Sequence, residues 1–253
     1  MIRLTFFIFS LGAITASAQK YTSANIFAHN DYVQPDPFHR AYGHGAGYIE
    51  ADIFLQGSDL LVAHSTEEIN KDKTLEKLYL EPLQKKIIQN KGTAYPNPTQ
   101  TLMLMIDLKS EGVATMKALV EKLKNYPQLL SCKTLNITIS GNMPDTSLWK
   151  NYPDFIYFDG RPGIVYTKDQ LDRIIMISTS FGSYSKWDGK NKLPKVEEDK
   201  VKILIEDAHA KGKKMRFWAT PDIENAWKVL TDLKMDMIVT DNVPGLAAFI
   251  KNE

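Results

Sequence analysis

Short apolar runs alternate with amphipathic segments along most of the chain. Several runs are apolar almost throughout, such as Leu102–Leu108 ("LMLMIDL"). Such runs are typical of strands that are buried on both faces of a parallel sheet. The pattern predicts nine strands: Asn25–His29, Tyr48–Leu55, Leu60–His64, Leu102–Leu108, Leu135–Ser140, Phe155–Phe158, Ile174–Ser180, Met215–Ala219 and Met237–Thr240.

Amphipathic segments with helical spacing separate most of these strands. In "EEDKVKILIEDAHAKGK", apolar residues recur at Val201, Leu204, Ile205 and Ala208, and Gly212 is a suitable residue for the helix C-terminus. The pattern predicts seven helices: Phe38–Ala46, Leu75–Asn90, Gly112–Asn125, Lys168–Arg173, Lys195–Lys211, Ile223–Leu233 and Val243–Lys251.

The order of these elements predicts a (β/α)₈ TIM barrel. The short link Gly57–Asp59 makes the third strand the second arm of a hairpin that follows strand two, so eight strands remain for the barrel. An open doubly wound sheet is the alternative. The barrel is favoured because polar groups end many different strands, whereas an open sheet concentrates them at one switch point. Residues 19–253 are expected to form a single domain.

The N-terminus has the pattern of a signal peptide. Arg3 precedes the apolar run Leu4–Ile14, which is too short to span a bilayer, and Ala16–Ala18 matches a cleavage site. We therefore expect residues 1–18 to be removed, with Gln19 first in the mature chain. The alternative is an N-terminal anchor. The signal-peptide interpretation predicts export to a periplasm or secretion, without stable membrane insertion after cleavage.

Composition and charge exclude several classes of protein. The apolar and charged fractions, 43% and 24% of 253 residues, are those of a globular protein. The formal net charge of +1 gives no electrostatic basis for binding nucleic acid. Cys132 is the only cysteine, so an intramolecular disulfide is impossible. Nothing in the sequence indicates an oligomeric state.

Three carboxylates lie on two of the predicted strands. Glu50 and Asp52 are two positions apart on one strand, so both side chains point to the same face, and Asp107 ends the run "LMLMID". Inward carboxylates repel one another unless a cation or a proton lies between them. Oxygen ligands with room for water suit Mg²⁺ or Ca²⁺, so we predict one divalent cation here. Solvated acids on an edge strand are the alternative.

Two histidines end strands on either side of the carboxylate pair in sequence. His29 closes "NIFAH" and His64 closes "LLVAH". Two imidazoles in one site can serve as general base and general acid near neutral pH. A glycoside hydrolase using Glu50 and Asp52 is less favoured, because carboxylates from one strand do not flank a scissile bond. Asn142 and Asp241 also end strands, and each suits a turn or a helix cap as well as a site.

These motifs resemble the glycerophosphodiester phosphodiesterase and phosphatidylinositol-phospholipase-C-like superfamily. Its pattern is a His-Arg-Gly strand end, Glu-x-Asp, a second His, and then an acid-x-Lys strand. "AHNDY", "YIEADIFL", "LLVAHS" and "TLEKLYLEPL" are most similar to its altered-inheritance-of-mitochondria-protein-6-like branch. "RFWATPD" and "MDMIVTDNVPGL" resemble the family's late strands.

The resemblance implies a metal-dependent phosphodiesterase whose substrate is a small phosphodiester or a phospholipid. The resemblance makes His29 the general base and His64 the general acid. It makes the carboxylates of Glu50, Asp52 and Asp107 the metal ligands. The remaining matched positions would contact the substrate: Lys109, Asn30 and Trp218. Asn30 replaces the family Arg that helps to hold phosphate, and "IDLK" is closer to sphingomyelinase-D-type relatives. Attack by a substrate hydroxyl would give a cyclic phosphate. The alternative function is a non-catalytic barrel that binds a phosphorylated ligand.

Overall fold

The strands form one nearly closed barrel in the computed structural model, which describes residues 20–252. Those strands are β1 (Ile26–Ala28), β2 (Tyr48–Gln56), β3 (Asp59–Val62), β4 (Leu102–Leu108), β5 (Leu135–Gly141), β6 (Ile156–Gly160), β7 (Ile174–Ser180), β8 (Lys214–Trp218) and β9 (Ile238–Thr240). Eight of them are parallel neighbours in the order β8-β7-β6-β5-β4-β2-β1-β9, and β8 and β9 meet where the barrel closes.

This sequential order confirms the predicted barrel and excludes the open doubly wound alternative, whose strand order reverses at a switch point. The predicted hairpin is also present. β3 pairs antiparallel with β2, and Gln56 faces Asp59 across a two-residue turn. Gly57 adopts a φ of +62° in that turn, a conformation that glycine reaches without steric cost.

The helices cover the outside of the barrel. They are α1 (His39–Gly43), α2 (Glu81–Gln89), α3 (Gly112–Leu123), α4 (Pro127–Ser131), α5 (Lys168–Asp172), α6 (Lys195–Ala210), α7 (Glu224–Asp232) and α8 (Val243–Asn252). All seven predicted helical segments contain a helix, whereas α4 was not predicted. Within the described range, every helix is too short or too polar to cross a bilayer.

The helix predicted over Leu75–Asn90 is not continuous α-helix. Glu76–Leu80 forms a π-helical turn, and α2 begins after it. Pro82 has no N–H to donate to the carbonyl four residues earlier, which explains why the regular hydrogen-bond ladder is interrupted at this point.

The barrel interior changes from apolar to polar along its axis. Side chains that alternate along a strand point inward at every second residue. The lower interior is filled by a buried apolar cluster of Phe27, Tyr48, Met103, Met105, Met176, Met237 and Val239. One or two inward positions later on the same strands, the side chains are charged or polar. The carboxyl ends of the strands therefore carry the chemistry, as in other TIM barrels.

The predicted signal peptide, residues 1–18 with cleavage before Gln19, lies outside the described residues, so this interpretation and the export that it implies stay predictions.

Candidate active site

A cavity of about 410 Å³ opens at the carboxyl ends of the strands. It combines charged, amide and hydroxyl groups from β1 to β8 with one aromatic ring. Its lining consists of His29, Glu50, His64, Asp107, Leu108, Lys109, Ser140, Gly141, Asn142, Arg161, Arg216 and Trp218. The fold thus brings both predicted histidines, two of the three predicted acids and the predicted Lys and Trp to one place.

His29 is held by a carboxylate from the neighbouring strand. Its backbone N–H donates to the Thr240 carbonyl at 3.1 Å, which places Asp241 beside the ring, and Nδ1 lies 2.8 Å from Oδ1 of Asp241. Burial alone would lower the pKa of His29, but the hydrogen bond with Asp241 and the charges of Asp241 and Glu50 outweigh it and raise the pKa. With Nδ1 engaged, Nε2 is the ring nitrogen available to substrate.

Asp241 is itself held in place by a second carboxylate. Its backbone N–H donates to Oδ2 of Asp222 at 2.9 Å. Burial tends to raise the pKa of Asp241, but the hydrogen bond with His29 prevails and lowers it. Asn242, rather than Asp241, caps α8, because its side-chain oxygen accepts from the N–H of Gly245. Asp241 therefore belongs with His29.

His64, which follows β3, is oriented by a similar contact with a carboxylate of β2. Its Nδ1 lies 3.2 Å from Oδ2 of Asp52 and 3.2 Å from the Tyr32 hydroxyl. Tyr32 is buried, and its hydroxyl donates to Oδ2 of Asp52 at 2.7 Å. Each of the two histidines thus has Nδ1 against a carboxylate, and both rings line the same cavity.

The Lys109 ammonium lies between two of the predicted metal ligands. Asp52 and Asp107 are direct partners across the β2–β4 ladder, and Nζ is 2.9 Å from a carboxylate oxygen of each. Burial raises the pKa of Asp107 although Lys109 opposes it. Burial would lower the pKa of Lys109, but the two carboxylates raise it, so the ammonium stays charged.

Glu50 has a cationic partner of its own. Nη2 of Arg216, from β8, lies 2.8 Å from Oε2 of Glu50, and both side chains are almost fully buried. The Arg216 guanidinium also lies over the Phe27 ring, 4.0 Å from its centre. Burial raises the pKa of Glu50, against the opposing charges of Arg216 and His29.

The three predicted ligands fit a hard divalent cation by donor type and position. All are carboxylates on adjacent strands, and Asp52 with Asp107 already converges on one positive group. In the part of the chain that the structure describes, however, no three His, Cys, Asp or Glu side chains are grouped as a metal site. Protein cations hold the three acids, so Glu50, Asp52 and Asp107 as metal ligands remain a prediction.

The remaining predicted contacts lie at different depths. Asn30 adopts a left-handed φ of +48° and contacts Asp241 and Tyr32 instead of lining the cavity. Trp218 stands at the mouth and is 42% exposed, which suits contact with an organic group better than a core position. The Asn142 amide donates to the Lys109 carbonyl at 3.1 Å and so fixes the end of β4.

Sequence reasoning missed a polar network on the far wall of the cavity. It consists of Ser140, Asp159, Arg161 and Ser178, at the ends of β5, β6 and β7. It also missed Arg216 and Tyr32. Two short patterns could have indicated these residues. In "DGR", two charged residues are two positions apart, as in "EAD" on β2, and in "RFW" an Arg stands two positions before the Trp.

Comparisons with known proteins find similarity to two phosphodiesterase family models. A family model described as the AIM6-like phosphodiesterase domain matches residues 15–130, and one described as the glycerophosphoryl diester phosphodiesterase family matches residues 214–244. Altered inheritance of mitochondria protein 6 from Eremothecium gossypii is 26% identical over 88% of this chain and 69% of its own. The Arthroderma benhamiae homolog is 33% identical over 39% of this chain and 37% of its own.

These matches show that the chain is similar to the AIM6-like branch of the glycerophosphodiester phosphodiesterase superfamily. The first family match includes β1 to β4 and both cavity histidines, and the second includes β8 and β9 with Arg216, Trp218 and Asp241. The predicted resemblance is therefore confirmed.

Solved structures support the same fold for this AIM6-like protein. A glycerophosphodiester phosphodiesterase from Parabacteroides distasonis superposes with a TM-score of 0.56 at 13% identity, covering 91% of this chain and 95% of its own. An Oleispira antarctica phosphodiesterase, solved in complex with the product sn-glycerol-3-phosphate, gives 0.54 at 17%, covering 90% and 96%. At these identities the likeness concerns the barrel.

Proposed function

We propose that this AIM6-like protein is a metal-assisted phosphodiesterase in which His29 and His64 act as general base and general acid. One observation carries the proposal: each ring has Nδ1 against a carboxylate, and both rings line one cavity with the Lys109 ammonium. A binding site needs cations for phosphate, but it does not need two oriented imidazoles. The sn-glycerol-3-phosphate found in the Oleispira antarctica neighbour supports a small phosphodiester as substrate.

His29 is assigned to proton removal. Nε2 takes the proton of the attacking hydroxyl, which belongs to water or to the substrate's own alcohol group. The resulting imidazolium is stabilised by the Asp241 carboxylate at 2.8 Å and by the nearby charge of Glu50. Attack by a substrate hydroxyl gives a cyclic phosphate, and attack by water gives an open monoester.

His64 is assigned to protonation of the leaving oxygen. Asp52 and Tyr32 hold Nδ1, so the ring is fixed with Nε2 as its reactive atom. Each such proton transfer contributes about 10²- to 10⁴-fold to the rate. His64 is more exposed than His29, with 59% of its side chain accessible against 30%, which suits the group that releases an alcohol toward solvent.

Two positively charged side chains lie beside the position that we propose for the phosphoryl group. Lys109 lines the cavity between two carboxylates, and Arg216 extends from the opposite side toward Glu50. Such cations stabilise the negative charge that builds on the phosphoryl oxygens. Glu50, Asp52 and Asp107 would hold Mg²⁺ or Ca²⁺, and that ion would supply Lewis-acid polarisation of the phosphodiester.

A second candidate function is a barrel that binds a phosphorylated ligand without turnover. The observation in its favour is that each of the three acids is bound to a protein cation, with Lys109 between Asp52 and Asp107. An arrangement completed by lysine and arginine has less need of a metal ion and retains cations for phosphate.

Phosphorus NMR with a panel of phosphodiesters distinguishes the two candidates. Residues 19–253 would be incubated with glycerophosphodiesters, phosphoinositides, lysophospholipids and sphingomyelin, in Mg²⁺, in Ca²⁺ and in chelator. A new resonance that disappears with chelator supports the enzyme, and its chemical shift distinguishes a cyclic phosphate from a monoester. Broadened substrate resonances without product, in every condition, support the binding barrel.

A further inference from the structure

The wall of the cavity opposite His29 carries a third positive group, which the proposed chemistry does not use. Arg161 follows β6, and three strands separate β6 from β1 in either direction around the barrel. Its side chain lines the cavity and is 33% exposed. A substrate whose phosphoryl group lies near His29 and Lys109 would therefore extend its alcohol group toward Arg161.

Arg161 is held rigidly from below. Its Nη1 lies 2.5 Å from Oδ2 of Asp159 and donates to the Ser178 hydroxyl and the Gly160 carbonyl at 3.1 Å, while Nη2 donates to the Ser140 hydroxyl at 3.3 Å. A side chain that is already ordered loses little conformational entropy when a ligand binds it.

Asp159 anchors this network inside the barrel. It is completely buried, and its Oδ2 accepts from the hydroxyls of Ser140 at 2.9 Å and Ser178 at 2.6 Å. Its Oδ1 and the Thr138 hydroxyl, also buried, have no hydrogen-bond partner among residues 20–252. A buried carboxylate needs a paired cation, and of this pair Arg161 lines the cavity whereas Asp159 does not.

One edge of the guanidinium remains available to a ligand. Nη1 is committed to Asp159, Ser178 and Gly160, and Nη2 uses one of its two N–H groups for Ser140, whereas Nε forms no hydrogen bond within the described residues. The edge formed by Nε and Nη2 offers two parallel N–H groups, the geometry that matches a carboxylate or a phosphate. A neutral hydroxyl accepts at a single atom and would use only half of this edge.

We propose that Arg161, supported by Asp159, Ser140 and Ser178, forms a second anion-binding subsite that recognises a carboxylate or phosphate on the alcohol part of the substrate. The inference rests on the proposed function, because it names the substrate class of the same cavity. It divides the cations of the site between two tasks: Lys109 and Arg216 face the phosphoryl group, and Arg161 selects the head group.

Two matched pairs of soluble esters test this subsite. Glycerophosphoserine differs from glycerophosphoethanolamine by one carboxylate, and glycerophosphoinositol 4-phosphate differs from glycerophosphoinositol by one phosphate. The kcat/KM of each would be measured by phosphorus NMR for wild type, Arg161→Gln and Arg161→Lys. Lys186→Gln is the control for loss of a cation. Lys186 lies on the loop after β7, and among residues 20–252 its ammonium donates only to the backbone carbonyl of Gly182.

We expect wild type to favour one or both anionic esters by about 10- to 100-fold, the effect of a charge-assisted bidentate contact. Arg161→Gln should remove this preference, because kcat/KM should fall more for the anionic member of each pair than for its neutral partner. Arg161→Lys keeps the positive charge but loses the two parallel N–H groups of the guanidinium, so it should give an intermediate preference. Lys186→Gln should behave as wild type.

Three results would overturn the subsite. Equal rates within both pairs for wild type would show that no anion is recognised. An equal loss on all four esters in folded Arg161→Gln, and its recovery in Arg161→Lys, would show that Arg161 only supports the wall. A preference for the neutral inositol ester that Arg161→Gln abolishes would identify a polyol subsite instead.

Binding measurements keep this test separate from the test of catalysis. If wild type turns over none of the esters, the proposed function fails, and calorimetric titration of the same four esters then decides the subsite. Tighter binding of the anionic members that Arg161→Gln abolishes supports it, and equal affinities contradict it. Thermal melting of each variant verifies that the barrel is folded.

Discussion

Replacing Asp241 by Asn should move the pH dependence of catalysis without disturbing the barrel. The substitution keeps the size of the side chain and an oxygen that accepts from Nδ1 of His29, but it removes the charge 2.8 Å from the ring. Asp241 contributes to raising the pKa of His29, whereas burial lowers it. Without the carboxylate, the pKa of His29 should therefore fall.

The size of the shift follows from the exposure of the pair. A hydrogen bond to a charged group is worth about 1.5–3 kcal/mol, but 53% of the Asp241 side chain is exposed, so solvent screening reduces the estimate to about 1 kcal/mol. One pKa unit corresponds to about 1.36 kcal/mol, so the expected shift is about 0.7 of a pH unit. A less firmly oriented and weaker base should also lower the plateau of kcat/KM by about tenfold.

The direction of the shift follows from the role of His29. A general base works in its neutral form, so wild-type kcat/KM falls as the pH drops below the raised pKa of His29. In Asp241→Asn, this acid limb should move to lower pH. The assay is kcat/KM for a soluble glycerophosphodiester between about pH 5 and 9.

A matched control is present at the opposite end of the barrel. His209, on α6, lies 2.8 Å from Asp236, so Asp236→Asn removes the same kind of contact away from the cavity. It should leave the position of the acid limb unchanged. An acid limb of Asp241→Asn that coincides with that of wild type would refute His29 as a base under the influence of Asp241.

The same pair should contribute to stability within a limited pH window. The raised pKa of His29 gives stabilisation that is present below its unfolded pKa of about 6.5 and is lost as the pH rises through its folded value. The lowered pKa of Asp241 gives stabilisation that is present above its unfolded value of about 3.9 and is lost as the pH falls through its folded value. Melting of Asp241→Asn should therefore differ from wild type mainly between about pH 4 and 6.5.

Three further substitutions test other parts of the site. Arg216→Met leaves Glu50 buried without its cation. It should lower the free energy of unfolding, measured in urea, by about 3–5 kcal/mol. A loss below about 1 kcal/mol would contradict a buried ion pair. Gly141→Ala places a Cβ 2.5 Å from Oδ1 of Asp107, so it should lower both the free energy of unfolding and kcat/KM. Gly163→Ala is the control: its φ of +77° is similar but the space around it is open, so it should cost only about 1 kcal/mol of backbone strain. Equal effects of the two substitutions would show that the close contact at Gly141 is unimportant. Lys109→Gln should lower kcat/KM by about 10²- to 10³-fold. It removes the ammonium between Asp52 and Asp107, so calorimetry should show tighter binding of Mg²⁺ or Ca²⁺. An unchanged metal affinity would argue against a position shared by the metal and the ammonium.

The barrel could be predicted from the sequence because its strands are buried on both faces. A run such as Leu102–Leu108 has few other stable environments, and the polar group at its end marks the carboxyl edge. The π-helical turn before α2 and the five-residue α4 were missed, since both depend on backbone hydrogen bonding that the apolar pattern does not record.

The candidate site could be predicted only in part. His29, Glu50, His64 and Lys109 all line the cavity, and each lies within a compact motif of the sequence. Their partners could not be assigned from local pattern. Asp241 is 212 positions from His29, and its pairing depends on how β9 aligns with β1.

Charge pairing inside the barrel was the least predictable feature. The three acids suggested a metal, whereas in the structure Glu50 meets Arg216, 166 positions away, and Lys109 joins the other two acids. Arg161 was missed for the same reason: its interest depends on which strand lies opposite β1, and that is a property of the closed sheet.

Turnover by single histidine variants tests general acid–base catalysis by His29 and His64 most directly. Phosphorus NMR would follow the best substrate of the panel with wild type, His29→Gln and His64→Gln, and with His209→Gln as the control on the outside of the barrel. Each cavity variant should keep its melting temperature and lose at least about 100-fold in kcat/KM, while His209→Gln keeps its activity. Full turnover by either cavity variant would contradict general acid–base catalysis by His29 and His64.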